Sequence, residues 1–339
     1  MSKIMSPVPN INRRRFIKIC AAASAGLTLH PVMVGAAPVL HRWTGIALGA
    51  KAEINLLHQD RDKARDLFRL VESEIRRLEA IFSLYKEDSE LVRLNREGEL
   101  FAPSFEMVEL LSLTKQVHAQ TGGAFDPTVQ PLWDYYARRA TGAHTVEPQD
   151  FTSALERVNL ECVAINPAEI RFLKPGMAMT LNGIAQGFIT DRVAALLSVQ
   201  GCSDVVVDLG EISAMGSVQI ADGLSADGWP ITLRPDAQRP KAQTKVTLAN
   251  VAVASSAKSG TTFDQDGRNS HILDPRTGMP VENEVVAASV IARTAAIADG
   301  LSTAALVLGE NRLLQSLKKS PGTRAFIVRN DNTTGWLSA

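Results

Sequence analysis

The chain has 339 residues, 45% of them apolar and 21% charged, which is room for one large or two ordinary domains with a substantial core. Lys plus Arg and Asp plus Glu are both 36, but residues 1–36 carry Lys3, Arg13, Arg14, Arg15 and Lys18 and no acid, so the remainder has 31 bases against 36 acids, a net of −5. With 5% aromatics and no basic stripe, that body excludes nucleic acid as an expected partner, and no later stretch has the length of a membrane span.

In chain order, the first feature reads as an address. Asn12-Arg13-Arg14-Arg15-Phe16-Ile17-Lys18 precedes a mildly apolar run from Ile19 to Leu29 and then Val34-Gly35-Ala36-Ala37. Paired arginines, a weak apolar region and a small-residue cleavage site have the layout of a twin-arginine signal. Cleavage is expected after Ala36, because a cut one residue later would leave Pro38 at the new N-terminus. The organisation expected is a signal over 1–36 and one functional unit over 37–339, exported to the periplasm. Cys20 lies inside the apolar run, so only Cys162 and Cys202 remain beyond it. They form no metal motif, and could pair in an oxidising compartment or stay buried as small apolar residues.

Alternation around Ala47, Ala50, Ala52, Ile54 and Leu56 predicts a first strand over 45–58. Ala64, Leu67, Phe68, Val71, Ile75, Leu78 and Phe82 recur every three or four residues, an amphipathic helix over 62–82. A second helix is expected over about 105–120, stopped by Gly122-Gly123, with His118 beside its apolar face as a structural histidine. The polar stretch 137–160, which contains His144, reads as a surface excursion. A third helix follows Asn182 and runs to Gln200. Strands are expected over 204–209, 229–234, 245–254 and 285–292, then a fourth helix from Thr294 to Gly309 and a last strand over 324–329. Helices among strands without strict βαβ alternation predict α/β or α+β with mixed or antiparallel sheets in one unit.

Four segments hold more Gly, Asp, Asn and hydroxyl residues than connections need: 83–95, 121–128, 181–187 and 270–278. The 121–128 segment brings backbone close to something, or is simply a helix end entering a strand. Asn182-Gly183-Ile184-Ala185-Gln186-Gly187 opens a helix, where free N–H groups and the positive dipole end could receive a phosphate; capping by Asn182 would equally account for it. Asp299 and Thr303 stand one helical turn apart on one face, hard oxygen donors that suit Mg²⁺ better than zinc or copper. Gly300 between them costs the helix about 1 kcal/mol relative to Ala, which points to a close approach. His271 and Asp274, three apart in a Pro/Gly turn, could act as base and carboxylate near neutral pH.

Taken in order, these segments resemble the ApbE family of FAD:protein FMN transferases from about Leu48 to Leu308. The residues that carry the resemblance are Leu48-Gly49-Ala50; Ser83-Leu84-Tyr85 with Leu91, Leu94 and Asn95; Gly123-Ala124-Phe125-Asp126-Pro127-Thr128; Asn182–Gly187 with Asp191; and Asp208-Leu209-Gly210. His271–Gly278 and Ala298–Thr303 complete the set. Trp43–Ala50, Ala80–Tyr85 and the basic start are most similar to the exported NosX-type members linked to nitrous oxide respiration.

The resemblance implies an α+β fold with flanking helices and an FAD site between lobes. It also implies an enzyme that uses Mg²⁺ to split the FAD pyrophosphate, attaches FMN to a threonine of an acceptor flavoprotein (NosR-like in this subgroup) and releases AMP. By position, Leu48, Tyr85, Asp126, Asn182, Gly183, Gln186, Gly187, Asp191, Asp208, Gly210 and His271 would bind the flavin dinucleotide. Tyr85 would lie against the isoalloxazine and Asp191 at the adenine or ribose. Asp299 and Thr303, with the carbonyls of Ala185 and Ser302, would hold Mg²⁺; His271, positioned by Asp274, would deprotonate the acceptor threonine. Three departures stand out: Gln186 replaces the family's usual Lys, 208–211 has one glycine in place of two, and 253–263 matches poorly. They leave open a flavin carrier without chemistry, or an FAD pyrophosphatase on the same site.

Overall fold

The computed structural model describes residues 38–141, 147–218, 227–263 and 270–338. The expected signal and His144 lie outside the described residues. The first predicted strand proves to be the second half of a hairpin, β1 (Val39–Ala47) and β2 (Ala50–His58). Its two-residue turn places both Leu48 (φ 46°) and Gly49 (φ 82°) in the left-handed region, the geometry that matches strand twist in tight hairpins. Leucine resists that conformation; here Glu79 Oε1 accepts the Leu48 N–H at 2.9 Å.

Helix α1 (Arg61–Phe82) starts on Asp60, whose carboxylate accepts the N–H groups of Asp62 and Lys63, and buries Leu67, Val71, Ile75, Leu78 and Phe82 as one stripe. Helix α2 (Glu90–Glu97), capped by Ser89 and closed by Gly98 at φ 77°, was not expected from the sequence. After β3 (Glu99–Phe101) comes α3 (Phe105–Thr121), capped by Ser104 and ended by left-handed Gly122. The described residues of 137–160 lie mostly at the surface, as expected, but they are helical. They include the end of α4 (Gln130–Thr141) and α5 (Pro148–Glu156), and the two helices pack together over Leu132, Tyr135, Tyr136 and Ala154. Aromatic residues supply that small core, with Tyr135 edge-on to Tyr136 and Phe151. Strands β4 (Val163–Ile165) and β5 (Glu169–Phe172) join β3 in a small antiparallel sheet.

Helix α6 (Ala185–Val199) leads to β6 (Val205–Asp208), β7 (Ile212–Met215) and the separate hairpin of β8 (Trp229–Leu233) and β9 (Thr244–Leu248). The expected strand 245–254 is therefore two, β9 and β10 (Val251–Ala257), with left-handed Asn250 in the turn. Then follow β11 (Val285–Ala292), α7 (Ala295–Leu317), β12 (Arg324–Arg329) and β13 (Thr334–Ser338). The main sheet runs β1-β2-β6-β7-β10-β11-β12-β13, every pairing antiparallel. The fold is thus α+β with antiparallel sheets and flanking helices.

Helix α7 packs on β10 and β11 and against α3 and α6. It is nearly all buried from Ala295 to Val307, which is why its sequence lacks a polar stripe. Gly309 (φ 69°, ψ 176°) interrupts it, and the Glu284 carboxylate accepts the Glu310 N–H at 2.9 Å to start the second segment. The expected end at Gly309 is thus a kink with a fresh N-cap. A Cβ at Gly300 would lie 2.9 Å from Val117 Cγ1 of α3; the close approach expected there is helix packing. At Gly187 a Cβ would collide with the Ala295 carbonyl, so this glycine lets α6 cross the start of α7.

Candidate active site

A cavity of about 540 Å³ opens where the start of α6, the middle of α7, the end of β10 and the 271–275 loop converge. Of the residues expected to act, Tyr85, Asp126, Asn182, Gly183, Gln186, His271, Asp299 and Thr303 line it. The chain brings them together from five separate segments. A second cavity of about 530 Å³ between α4 and α5, edged by Asp134, Arg138, Asp150 and Arg157, holds none of them.

Tyr85 stands 82% exposed at the mouth, held on a short turn in which its N–H donates to Ser83 Oγ. Phe125 lies behind, its ring 3.2 Å from where a Gly183 Cβ would sit, with Thr303 Oγ1 at 3.0 Å on the same glycine. A side chain at 183 would therefore close the cavity beside Thr303. Asp126 faces the cavity, but its carboxylate is occupied by the fold: it accepts from Thr128 N and Oγ1 and from Leu160 N. His118, as expected, is structural; its Nδ1 donates to the Phe125 carbonyl at 2.9 Å.

The inner end is acidic. Asp299 is 3% exposed, and the Gly187 N–H donates to its Oδ2 at 3.2 Å. Burial, and then the nearby Asp191 charge, push its carboxyl up to about 7. Glu211, which the sequence reading passed over, lines the same wall; burial and the Asp299 charge push it well above the usual carboxylate range. Its Oε2 accepts the Ser255 N–H at 3.0 Å. Ser256 Oγ sits 2.7 Å from Ser302 Oγ and 3.3 Å from Thr303 Oγ1. Among the described residues, no Lys or Arg lines this cavity, while the buried Asp299 and Glu211 both face it. Among the described residues, no three His, Cys, Asp or Glu gather as a metal cluster. One carboxylate with hydroxyl and carbonyl oxygens is instead a hard-cation donor set.

Other expected residues have different surroundings. Ala185 and Ser302 are fully buried behind the wall. Asp191 does not line the cavity. Its two oxygens accept the N–H groups of Ala295 and Ala296 at 2.7 and 2.9 Å, capping α7, and burial raises its carboxyl to about 6 against the pull of those donors. Asp274 does not touch His271. Its carboxylate accepts from Arg276 Nε and Nη2 at 2.8 and 2.7 Å and from the Arg276 backbone N–H at 3.0 Å; burial alone would raise it, but Arg276 outweighs burial and holds it below its ordinary value. His271 Nδ1 lies 2.7 Å from the Thr261 carbonyl instead, and burial pulls its pKa down. Asn182 is not the α6 cap, since Ile184 holds that position without a side-chain bond.

Gln186 Nε2 donates to the Leu209 carbonyl at 2.7 Å, folding its amide onto the Leu209-Gly210 turn. Gly210 (φ 101°) has no room for a Cβ beside that amide, and Asp208 accepts the Gly210 N–H at 3.1 Å. Asp208, Gly210 and Gly187 therefore shape the wall from outside it, and Leu48, held at the β1–β2 turn by Glu79, does not line the cavity. The signal for Glu211 and for Ser255-Ser256 was present as polar residues next to apolar strand segments, Val205-Val206-Val207 and Val251–Ala254.

This fold and this site define a mixed α+β protein with a deep cleft, aromatic at the mouth and acidic within. The ApbE family model matches residues 48–327, and the chain belongs to that family. A curated FAD:protein FMN transferase of Salmonella typhimurium is 27% identical, over 94% of each chain. One of Vibrio cholerae is 31% identical over 74% of this chain and 75% of its own. Among solved structures, the Vibrio cholerae flavin transferase ApbE superposes with a TM-score of 0.74 at 25% identity, covering 88% of this chain and 96% of its own. The Pseudomonas stutzeri flavinyl transferase ApbE in its apo form gives 0.74 at 27%, covering 89% and 94%.

Proposed function

We propose that this chain is an FAD:protein FMN transferase that uses Mg²⁺, acting in the periplasm on a threonine of an acceptor flavoprotein. The observation that carries the reading is the convergence of a flavin-sized cleft, an imidazole and the buried Asp299–Glu211 pair in a chain of this family. Asp299 and Thr303 would hold Mg²⁺, which when bound neutralises pyrophosphate charge. Tyr85 and Phe125 offer ring surface to the isoalloxazine at the mouth. At the start of α6, Gly183 and Gln186 line the cleft where the phosphates would lie, while the Ala185 and Gly187 N–H groups are given to Leu181 and Asp299. His271 takes the proton from the acceptor hydroxyl while its oxygen bonds to the FMN phosphorus. The bond from that phosphorus to the bridging oxygen breaks, and AMP leaves with that oxygen.

Incubation of the holoenzyme with FAD, Mg²⁺ and a NosR-like acceptor tests this. The acceptor should gain the mass of one FMN and AMP should appear in equal amount. Free FMN with an unmodified acceptor would identify a pyrophosphatase; intact FAD would identify a carrier. The NosR-like acceptor is supported by the likeness of Trp43–Ala50 and Ala80–Tyr85 to NosX-type sequences, and the periplasmic site by the arginine-rich start. Replacing Arg13, Arg14 and Arg15 with Lys should leave the unprocessed chain in the cytoplasm on fractionation.

A further inference from the structure

Among the described residues, the imidazole that the proposed reaction needs has no carboxylate partner, and the Thr261 carbonyl accepts from its ring. That carbonyl accepts both the His271 backbone N–H at 3.1 Å and the ring at Nδ1 at 2.7 Å. The Thr261 N–H also approaches Nδ1, at 3.3 Å, but a carbonyl oxygen only accepts, so the shorter 2.7 Å contact places the proton on Nδ1 and leaves Nε2 its lone pair. Gly260 leaves room for the ring: a Cβ there would lie 3.3 Å from His271 Cε1.

The turn that delivers Thr261 is fastened from outside the cavity. The Lys258 N–H donates to the Val286 carbonyl at 2.9 Å, and its Nζ donates to the Asn283 carbonyl at 2.7 Å. On the other side, Ser259 Oγ donates to Asp236 Oδ1 at 2.7 Å. Asp236 lies in the β8–β9 connection and is only 2% exposed. It also accepts the Gln238 N–H at 2.9 Å and faces Arg239 Nε at 3.3 Å. A buried carboxylate on a surface hairpin is costly unless fully engaged, and among the described residues its hydrogen bond to a distant segment goes to Ser259.

We propose that Asp236 and Ser259 are positioning residues that fix the tautomer of His271 through the 257–261 turn, so that Nε2 is the base. In the role of base this rests on the proposed transfer; the tautomer does not. Imidazole nitrogen NMR on the ¹⁵N-histidine protein without FAD reads the tautomer directly, the His271 signals being identified by their loss in His271→Gln. The native protein should show Nδ1–H. Ser259→Ala and Asp236→Asn should give a mixture of tautomers, and Ser259→Thr, which keeps the hydroxyl, should return the native pattern. In single turnovers with FAD and Mg²⁺, Ser259→Ala should slow transfer about tenfold, part of the ~10²–10⁴ a general base contributes, with FAD affinity within about twofold. An Nε2–H tautomer in the native protein, or an unchanged tautomer in both Ser259→Ala and Asp236→Asn, overturns the proposal. Absence of transfer by the native protein, with the tautomers behaving as described, would overturn the proposed function and leave the positioning intact.

Discussion

Asp299→Asn keeps the volume of a buried side chain and removes a charge that burial disfavours. Mg²⁺ affinity, read by calorimetry, should fall at least tenfold and transfer with it, while the metal-free protein should melt no lower at neutral pH. Thr303→Val, which keeps the shape and loses the oxygen, should give a milder loss of the same kind. Gln186→Lys places a cation beside the Leu209-Gly210 turn and the carboxylates around it. FAD should bind several-fold tighter at low salt, with the gain shrinking as the Debye length shortens; affinity that is flat in salt would show that residue 186 does not sense the phosphates. Residue roles were legible where chemistry is local. Asp299 and Thr303 share a helical face by spacing alone, and both line the cavity. Asp191 and Asp274 have partners other than those expected: Asp191 meets the start of a helix a hundred residues on, which spacing does not show, and Asp274 is taken by Arg276 two residues along.

At the scale of elements, Asp191 makes a separable prediction. Asp191→Ala leaves the Thr294 cap of α7 but removes the acceptor of the Ala295 and Ala296 N–H groups, and should cost about 1–2 kcal/mol in denaturant unfolding, without changing FAD affinity once folded. The α3–α7 contact makes another. Ala for Gly300 gains about 1 kcal/mol of helix propensity, but its methyl would press on Val117, and overpacking costs roughly 1–3 kcal/mol. The net should be a loss of about 1 kcal/mol, and Val117→Ala in the same chain should recover part of it. Long amphipathic elements such as α1, and α3 with its glycine stop, were readable because one face alone is buried. Helices α2 and α4 are short, eight and twelve residues, so each offers only a few turns of repeat. The hairpin turn at Leu48 was missed because it lacks the usual Asn-Gly or Asp-Gly pair, and the break at Asn250 because one polar residue between two apolar runs is a weak signal.

At the scale of the molecule, the acidic interior ties stability to pH. Asp191 near 6 and Asp299 near 7 both titrate above their ordinary 3.8. An acid whose pKa folding raises holds its proton more tightly when folded. Its contribution is therefore complete below about pH 4 and is lost as pH climbs toward 7. The melting temperature of the metal-free protein, measured relative to Asp299→Asn, should fall across that window, and saturating Mg²⁺ should oppose the fall. The class of fold was legible in the absence of βαβ alternation. The strand order was not, since it depends on pairings between distant segments.

That order has a consequence for how the chain is made. Strand β2 leaves synthesis with β1 already beside it, yet its other edge waits for β6, where Glu53 meets Asp208. With translation at about 5–20 residues per second, that edge is bare for roughly 7–30 s, and unpaired edges template association with other chains. Refolding yield should therefore drop as concentration rises, and nascent chains halted between α1 and β6 should be the ones that aggregate.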